Sequence, residues 1–291
     1  MPKLTLTPER SLEVQLTDGR TLSYAILGAA DADATTFVLD GPGSRGLARA
    51  AAEAATRLGI RLIAPDRPGF GRSSPNPGRT FDDVANDLLA LADQLGCERF
   101  SVLAQSGGTP YALALAAAAG DRVERLTFTG AISPLGEPDA LQDVAGPMRG
   151  PFVLARRAPW LLGPIFRAGG RSVRRNPEKA AANFVKDAPE ADRKVLEDPR
   201  LWELHVVSGY EAMASPTTFA QEARRLAKPW DIDLAAITAP ADIWVGERDT
   251  THPPVMSRRL AERLGGAPVH VVPGAGTFGV VAQMGEILGG R

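Results

Sequence analysis

The apolar residues of this chain come in short bursts separated by longer stretches of helical spacing, a rhythm that restricts the fold more than any other feature. Runs of strand length lie at 36–39, 61–64, 101–104, 126–129, 243–245 and 269–272. Helical spacing fills 46–58, 81–95, 108–119 and 255–264. It returns at 278–288, where Val280, Val281, Met284, Ile287 and Leu288 recur about a turn apart. Strands that alternate with helices form a mainly parallel sheet covered on both faces. The start of the chain differs. Segments 3–7, 11–17 and 21–27 alternate polar and apolar residues, and Asp18-Gly19 between the last two is a hairpin signal. The expectation is an α/β chain with a mostly parallel, doubly wound sheet of about eight strands, entered through an antiparallel hairpin.

The interval between 129 and 243 is too long for one crossover. It contains helix-like pieces broken by Pro and Gly, so a helical cap is expected at 135–228, inserted into a core made of 1–134 and 229–291. A length of 291 residues with 44% hydrophobic residues suits one large domain with an insertion. Lys plus Arg number 33 against 34 acids, a balance that argues against nucleic-acid binding. Cys97 is the one cysteine, so no intrachain disulfide forms. No run approaches the roughly 20 apolar residues of a membrane span, and the first residues lack a signal-peptide core. A cytoplasmic setting is expected. Three scattered histidines make no metal pattern, and no dinucleotide loop follows the first strand. No cofactor or metal is therefore expected.

The chemistry points to Phe100-Ser101-Val102-Leu103-Ala104-Gln105-Ser106-Gly107-Gly108, where an apolar strand runs into a serine and then into the Ala-rich stretch 111–119. This is the strand–turn–helix context of a nucleophile elbow. So tight a turn requires small neighbours two residues either side of the serine, and here they are Ala104 and Gly108. A serine in this position would sit at a helix N-terminus, which stabilises negative charge. The N–H of Gly107 would be the first oxyanion donor.

Further motifs follow the same order. They are Leu39-Asp40-Gly41-Pro42-Gly43-Ser44-Arg45, Asp66-Arg67-Pro68-Gly69-Phe70-Gly71-Arg72-Ser73, Gly246-Glu247-Arg248-Asp249 and Gly274-Ala275-Gly276-Thr277-Phe278-Gly279. With the elbow, they resemble the α/β-hydrolase superfamily over nearly all of the chain outside the cap. The resemblance implies Ser106 as nucleophile, Asp249 as the acid and an oxyanion loop at 39–45. Matching Pro-Gly-Ser-Arg makes Gly41 the second oxyanion donor. Sliding by one would put Pro42 there, which has no N–H.

The family histidine is replaced by Thr277, whose hydroxyl is not basic near neutral pH and cannot shuttle the serine proton. Gly274-Ala275-Gly276 and Phe278-Gly279 hold the register on both sides. His252, three residues after Asp249, could substitute as base. His205 could be a catalytic or substrate-contacting residue on a cap helix, and His270 reads as a strand residue. Asp40, where the family has glycine, would repel an oxyanion unless protonated or paired with Arg45 or Arg72, and could instead act as an acid or base. Asp66 and Arg67 read as structural.

Leu39, Gln105, Trp160, His205 and Phe278 are expected to line the substrate pocket. Between Val144 and Pro177 there are seven arginines and no acid. This basic, apolar cap could meet an acidic carrier protein, an anionic substrate or a membrane surface, or could simply be solvated. The resulting reading is an enzyme acting on a small apolar ester, lactone or thioester. A non-hydrolytic cyclase, lyase or isomerase and a non-catalytic ligand-binding protein are the alternatives.

Overall fold

The computed structural model describes residues 9–41, 43–137, 140–142 and 146–290. The expected strand at 3–7 lies outside them. Eight strands form one sheet: β1 (Leu12–Gln15), β2 (Thr21–Gly28), β3 (Thr35–Leu39), β4 (Arg61–Pro65), β5 (Phe100–Ser106), β6 (Val123–Ala131), β7 (Ala241–Gly246) and β8 (Val269–Val272). Their spatial order is β1-β2-β4-β3-β5-β6-β7-β8. The first two pairings are antiparallel and the rest parallel. The hairpin turns at Asp18-Gly19, where Gly19 has a φ of 82° that favours glycine.

Helices cover both faces of the sheet, as the rhythm of apolar runs predicts. They are α1 (Gly46–Leu58), α2 (Phe81–Gln94), α3 (Thr109–Ala119), α10 (Pro254–Arg263), α11 (Thr277–Val281) and α12 (Met284–Gly289). α2 opens with a capping box, in which Thr80 Oγ1 accepts from Asp83 N and the Asp83 carboxylate accepts from Thr80 N. The single helix expected at 278–288 is instead two short ones. The break falls where the Gln283 N–H turns back to the carbonyl of Val280, a tighter bond than the α-helical one. One cluster, around Phe37, Phe100 and Tyr111, packs with α2 and α3. A second, around Val38, Leu103 and Val272, packs with α1 and α12.

Six helices are inserted between β6 and β7: α4 (Gly146–Arg157), α5 (Pro159–Arg175), α6 (Pro177–Val185), α7 (Glu190–Val195), α8 (Pro199–Ala214) and α9 (Pro216–Leu226). Among the described residues no helix is long and apolar enough to cross a membrane.

A buried charge network fastens the inserted helices to the sheet. Glu222 on α9 accepts from Arg67 Nε at 3.0 Å, Arg79 at 2.9 Å and the Tyr111 hydroxyl at 2.7 Å. Three cations surround it, Arg225 being the third at 3.5 Å, and they hold its carboxyl below the usual range despite complete burial. A second link joins α1 to α8, where Arg49 donates to Glu211 at 2.6 and 2.9 Å.

Removing one member of a buried ion network leaves the others charged and uncompensated. Glu222→Ala is therefore expected to destabilise the fold by about 3–5 kcal/mol in urea unfolding. Glu53→Ala, which removes only exposed contacts to Arg57 and Arg200, is expected to leave the midpoint unchanged.

Candidate active site

Ser106 ends β5 with a φ of 50°, the one non-glycine positive φ among the described residues. Such backbone is strained for any residue with a Cβ and persists only where its surroundings enforce it. Here the surroundings leave no room for anything larger than hydrogen. A Cβ on Gly108 would meet the Leu39 carbonyl oxygen at 2.0 Å. One on Gly41 would lie 2.7 Å from Ser106 Cβ, and one on Gly107 would lie 3.0 Å from the Gly41 oxygen. The loop after β3 is thus pressed against the turn after β5. Arg67 holds it there, donating to the carbonyls of Asp40 and, at 2.9 Å, of Gly41.

Asp40 is buried, and neither Arg45 nor Arg72 pairs with it. Arg45 pairs with Asp66 at 2.7 Å, and Arg72 with Glu13 at 2.7 Å. The Asp40 carboxylate instead accepts from Ser44 Oγ at 2.5 Å, the Gly41 N–H at 2.7 Å and the Leu47 N–H at 3.2 Å. Burial raises its carboxyl above the ordinary value of 3.8, although these donors and Arg67 work the other way. Gly41 therefore stands beside Ser106, as an oxyanion donor must, but its N–H is engaged by Asp40.

On the other side, the loop after β7 delivers Asp249. Its Oδ1 accepts from the His252 N–H at 2.7 Å, the Thr251 N–H at 2.8 Å and Thr277 Oγ1 at 2.8 Å. Its Oδ2 faces His252 Nδ1 at 3.4 Å, an ion-pair separation without hydrogen-bond alignment. Burial pushes the Asp249 carboxyl up, but the charge and hydrogen bonding of His252, with help from Thr277, outweigh it, and the net direction is down. The His252 ring packs on Gly130, where an added Cβ would lie 2.9 Å from Nδ1. Gly130 is the extra residue of a bulge in β6, between Thr129 opposite Gln105 and Ala131 opposite Ser106. The bulge thus puts the ring beside the partner of the elbow serine.

A cavity of about 450 Å³ is lined by Asp40, Gly41, Gln105, Ser106, Gly107, His205, His252, Thr277 and Phe278. Its remaining walls are largely apolar side chains of the inserted helices, including Phe152, Phe166, Phe184 and Phe219. His205 meets the Phe278 ring edge-on at 4.9 Å, and burial lowers its basicity. Two expected lining residues are elsewhere. Leu39 is packed into the core because β3 is buried on both faces. Trp160 is 68% exposed because it lies on the outer side of α5. His270 stacks on Trp244 at 4.4 Å and reaches Asp242 at 2.9 Å, away from the cavity.

Two buried carboxylates escape sequence reasoning. Glu222 lines the cavity, and a trace of it exists in the sequence, since it falls within the apolar spacing of Phe219, Ala223 and Leu226 on α9. Asp192 on α7 accepts from the N–H groups of Phe278 at 2.9 Å and Gly279 at 3.2 Å, capping the loop that carries Thr277. Burial and the nearby Asp249 charge raise its carboxyl. No local pattern in Pro189-Glu190-Ala191-Asp192 announces that contact.

A family model described as alpha/beta hydrolase fold matches residues 41–281. The chain belongs to the α/β-hydrolase fold family. Among curated relatives it is similar to an uncharacterized hydrolase, YcgS, of Bacillus subtilis, with 30% identity over 125 residues, or 43% of each chain. It is also similar to a haloalkane dehalogenase of Psychrobacter cryohalolentis, with 32% identity over 119 residues, 40% of this chain and 39% of that one. These matches span less than half the length of either relative. Among solved structures, an esterase from Thermogutta terrifontis superposes with a TM-score of 0.69 at 22% identity, covering 97% of this chain and 96% of that one. An enol-lactonase from Burkholderia xenovorans gives 0.69 at 20%, covering 96% and 100%. At such identities the likeness concerns the hydrolase fold itself.

Two outcomes are expected. Gly41→Ala forces a Cβ against Ser106, so it should cost about 1–3 kcal/mol of stability and suppress any reactivity of that serine, as a fluorophosphonate probe would report. Because the raised Asp40 carboxyl binds its proton more tightly in the folded chain, its contribution to stability is complete below the ordinary carboxylate value and is lost as pH rises through the raised one. Urea midpoints from about pH 4 to about pH 7 should therefore fall for the wild type relative to Asp40→Asn.

Proposed function

We propose that this α/β-hydrolase-fold protein is a serine hydrolase acting on small, largely apolar esters, lactones or thioesters, with His252 as the base that the last loop no longer supplies. The observation that carries the reading is the shared cavity wall of Ser106 and His252, with His252 Nδ1 facing the Asp249 carboxylate. In this scheme Asp249 orients the ring and keeps a negative charge beside it. Thr277 fills the place on Asp249 Oδ1 that a histidine would otherwise take.

The proposed reaction runs in two steps. Ser106 Oγ attacks the carbonyl carbon while His252 Nε2 takes its proton, and the Gly107 N–H donates to the developing oxyanion. The C–O or C–S bond then breaks, and His252 returns the proton to the leaving oxygen or sulfur. Water repeats the sequence on the acyl-enzyme. The six inserted helices, roughly 135–228, would serve as a cap whose phenyl rings bind the apolar part of the substrate and exclude water.

One observation favours a second reading. Asp40 engages the Gly41 N–H and has a raised carboxyl, as suits a proton donor in a cyclase, lyase or isomerase that forms no acyl-enzyme.

Fluorophosphonate labelling separates the two. Serine hydrolysis predicts stoichiometric labelling of Ser106, slowed about 10²–10⁴-fold by His252→Ala, slowed also by Gly130→Ala, and changed little by Thr277→Val. If Ser106 stays unlabelled for hours, or if His252→Ala labels at the wild-type rate, the hydrolytic scheme fails. Turnover that survives Ser106→Ala but not Asp40→Asn would establish the second reading.

A further inference from the structure

We infer that α5 is a membrane-surface helix whose outer face docks on a bilayer bearing anionic headgroups. At about 100° per residue, the helix divides into two sides. Leu162, Phe166 and Gly170 turn inward and are buried, and Phe166 and Val173 help wall the cavity. Trp160, Leu161, Pro164 and Ile165 turn outward, with Trp160 68%, Leu161 43% and Ile165 50% exposed. Three large apolar side chains on adjacent turns form a patch that an ordinary water-facing helix does not carry.

The same outward side continues into charge. Arg171 and Arg175 prolong it toward the end of α5, and Arg167 and Arg174 flank it. Among the described residues Arg174 reaches the Met213 carbonyl alone, at 3.4 Å. Arg157, at the end of α4, and Arg167, Arg171 and Arg175 make neither an ion pair nor a hydrogen bond with any described residue. No Asp or Glu occurs between Val144 and Pro177, so the stretch is purely basic although the chain's net charge is -1.

The arrangement fits a lipid surface better than an acidic protein. An interfacial helix needs a ridge that enters the headgroup boundary, arginines that stay at phosphate level, and tryptophan, the side chain most at home between the two. All three lie in sequence along one exposed helix side. An acidic protein face would neutralise the arginines but leave Trp160 and Ile165 against polar surface. Docking in this way would lay the outer side of a cavity wall on the bilayer, from which apolar substrates could be drawn. The docking face itself contains no side chain that lines the Ser106 cavity, and it is independent of the proposed chemistry.

Vesicle flotation tests it. The purified chain is mixed with vesicles of phosphatidylcholine alone, or with about one third phosphatidylglycerol. Recovery with the anionic vesicles should be at least about tenfold higher and should fall as salt is raised. The exposed pairs Trp160→Ser/Ile165→Ser and Arg171→Glu/Arg175→Glu should each lower it about tenfold with unchanged thermal midpoints. Absent flotation, equal recovery with both vesicle types, or variants that float like the wild type would overturn the proposal. So would face variants that alter the sedimentation of the lipid-free protein while vesicle binding is unchanged, since the face would then be a protein contact.

Discussion

The close approach of two backbone segments, the loop after β3 and the turn after β5, is the constraint around which the site is built. Ser106 holds a left-handed φ of 50° only because Gly41, Gly107 and Gly108 let the segments meet without side chains between them. Arg67 secures the contact by donating to the carbonyls of Asp40 and Gly41. Arg67 is itself paired with Glu222, which it shares with Arg79 and Arg225. An inserted helix therefore reaches, through one ion pair and the hydrogen bonds of Arg67, the backbone on which any oxyanion chemistry would rely. The strain at Ser106 and the buried charge at Glu222 belong to one mechanical unit.

The last loop carries Thr277 between Gly276 and Phe278. Thr277 hydrogen-bonds to Asp249 Oδ1 and Asp192 caps the adjoining N–H groups, so the loop keeps its order without a ring. Asp249 Oδ2 is left facing His252, which comes from the same loop as the acid. Under the proposed reaction, the base comes from the loop of the acid Asp249, while the nucleophile and its sheet stay fixed. The β6 bulge at Gly130 makes room for this, because a side chain there would occupy the ring's position.

The inserted helices are two-sided. Their inner side chains give the cavity its apolar walls and contribute Glu222 and Asp192, whose charges act on the loops below. Along α5 the outer side carries the opposite assortment, an apolar ridge followed by Arg171 and Arg175, which form no ion pair with any described residue. A helix that is apolar inside and amphipathic outside has two environments to satisfy, and water suits only part of the second.

Local physics was enough to fix the framework from sequence. Period-two and helical spacing specify the strands and helices, Asp18-Gly19 specifies the hairpin, and small residues around Ser106 specify a tight strand–helix turn, because each depends on neighbours in the chain. The reading of Thr277 at the family's histidine position rests on the sequence alone, through Gly274, Gly276 and Gly279 on either side of it. Other features depended on residues far apart in sequence and were decided by the tertiary structure. Asp40 rests on Ser44 and backbone N–H groups rather than on an arginine, because Arg45 is drawn to Asp66. Glu222 and Asp192 became important only when α9 and α7 were laid across the sheet. Trp160 left the pocket because helix rotation, set by packing of Leu162 and Phe166, turned it outward. Covalent spacing dictates which side chains can share a face; long-range packing dictates what each face meets.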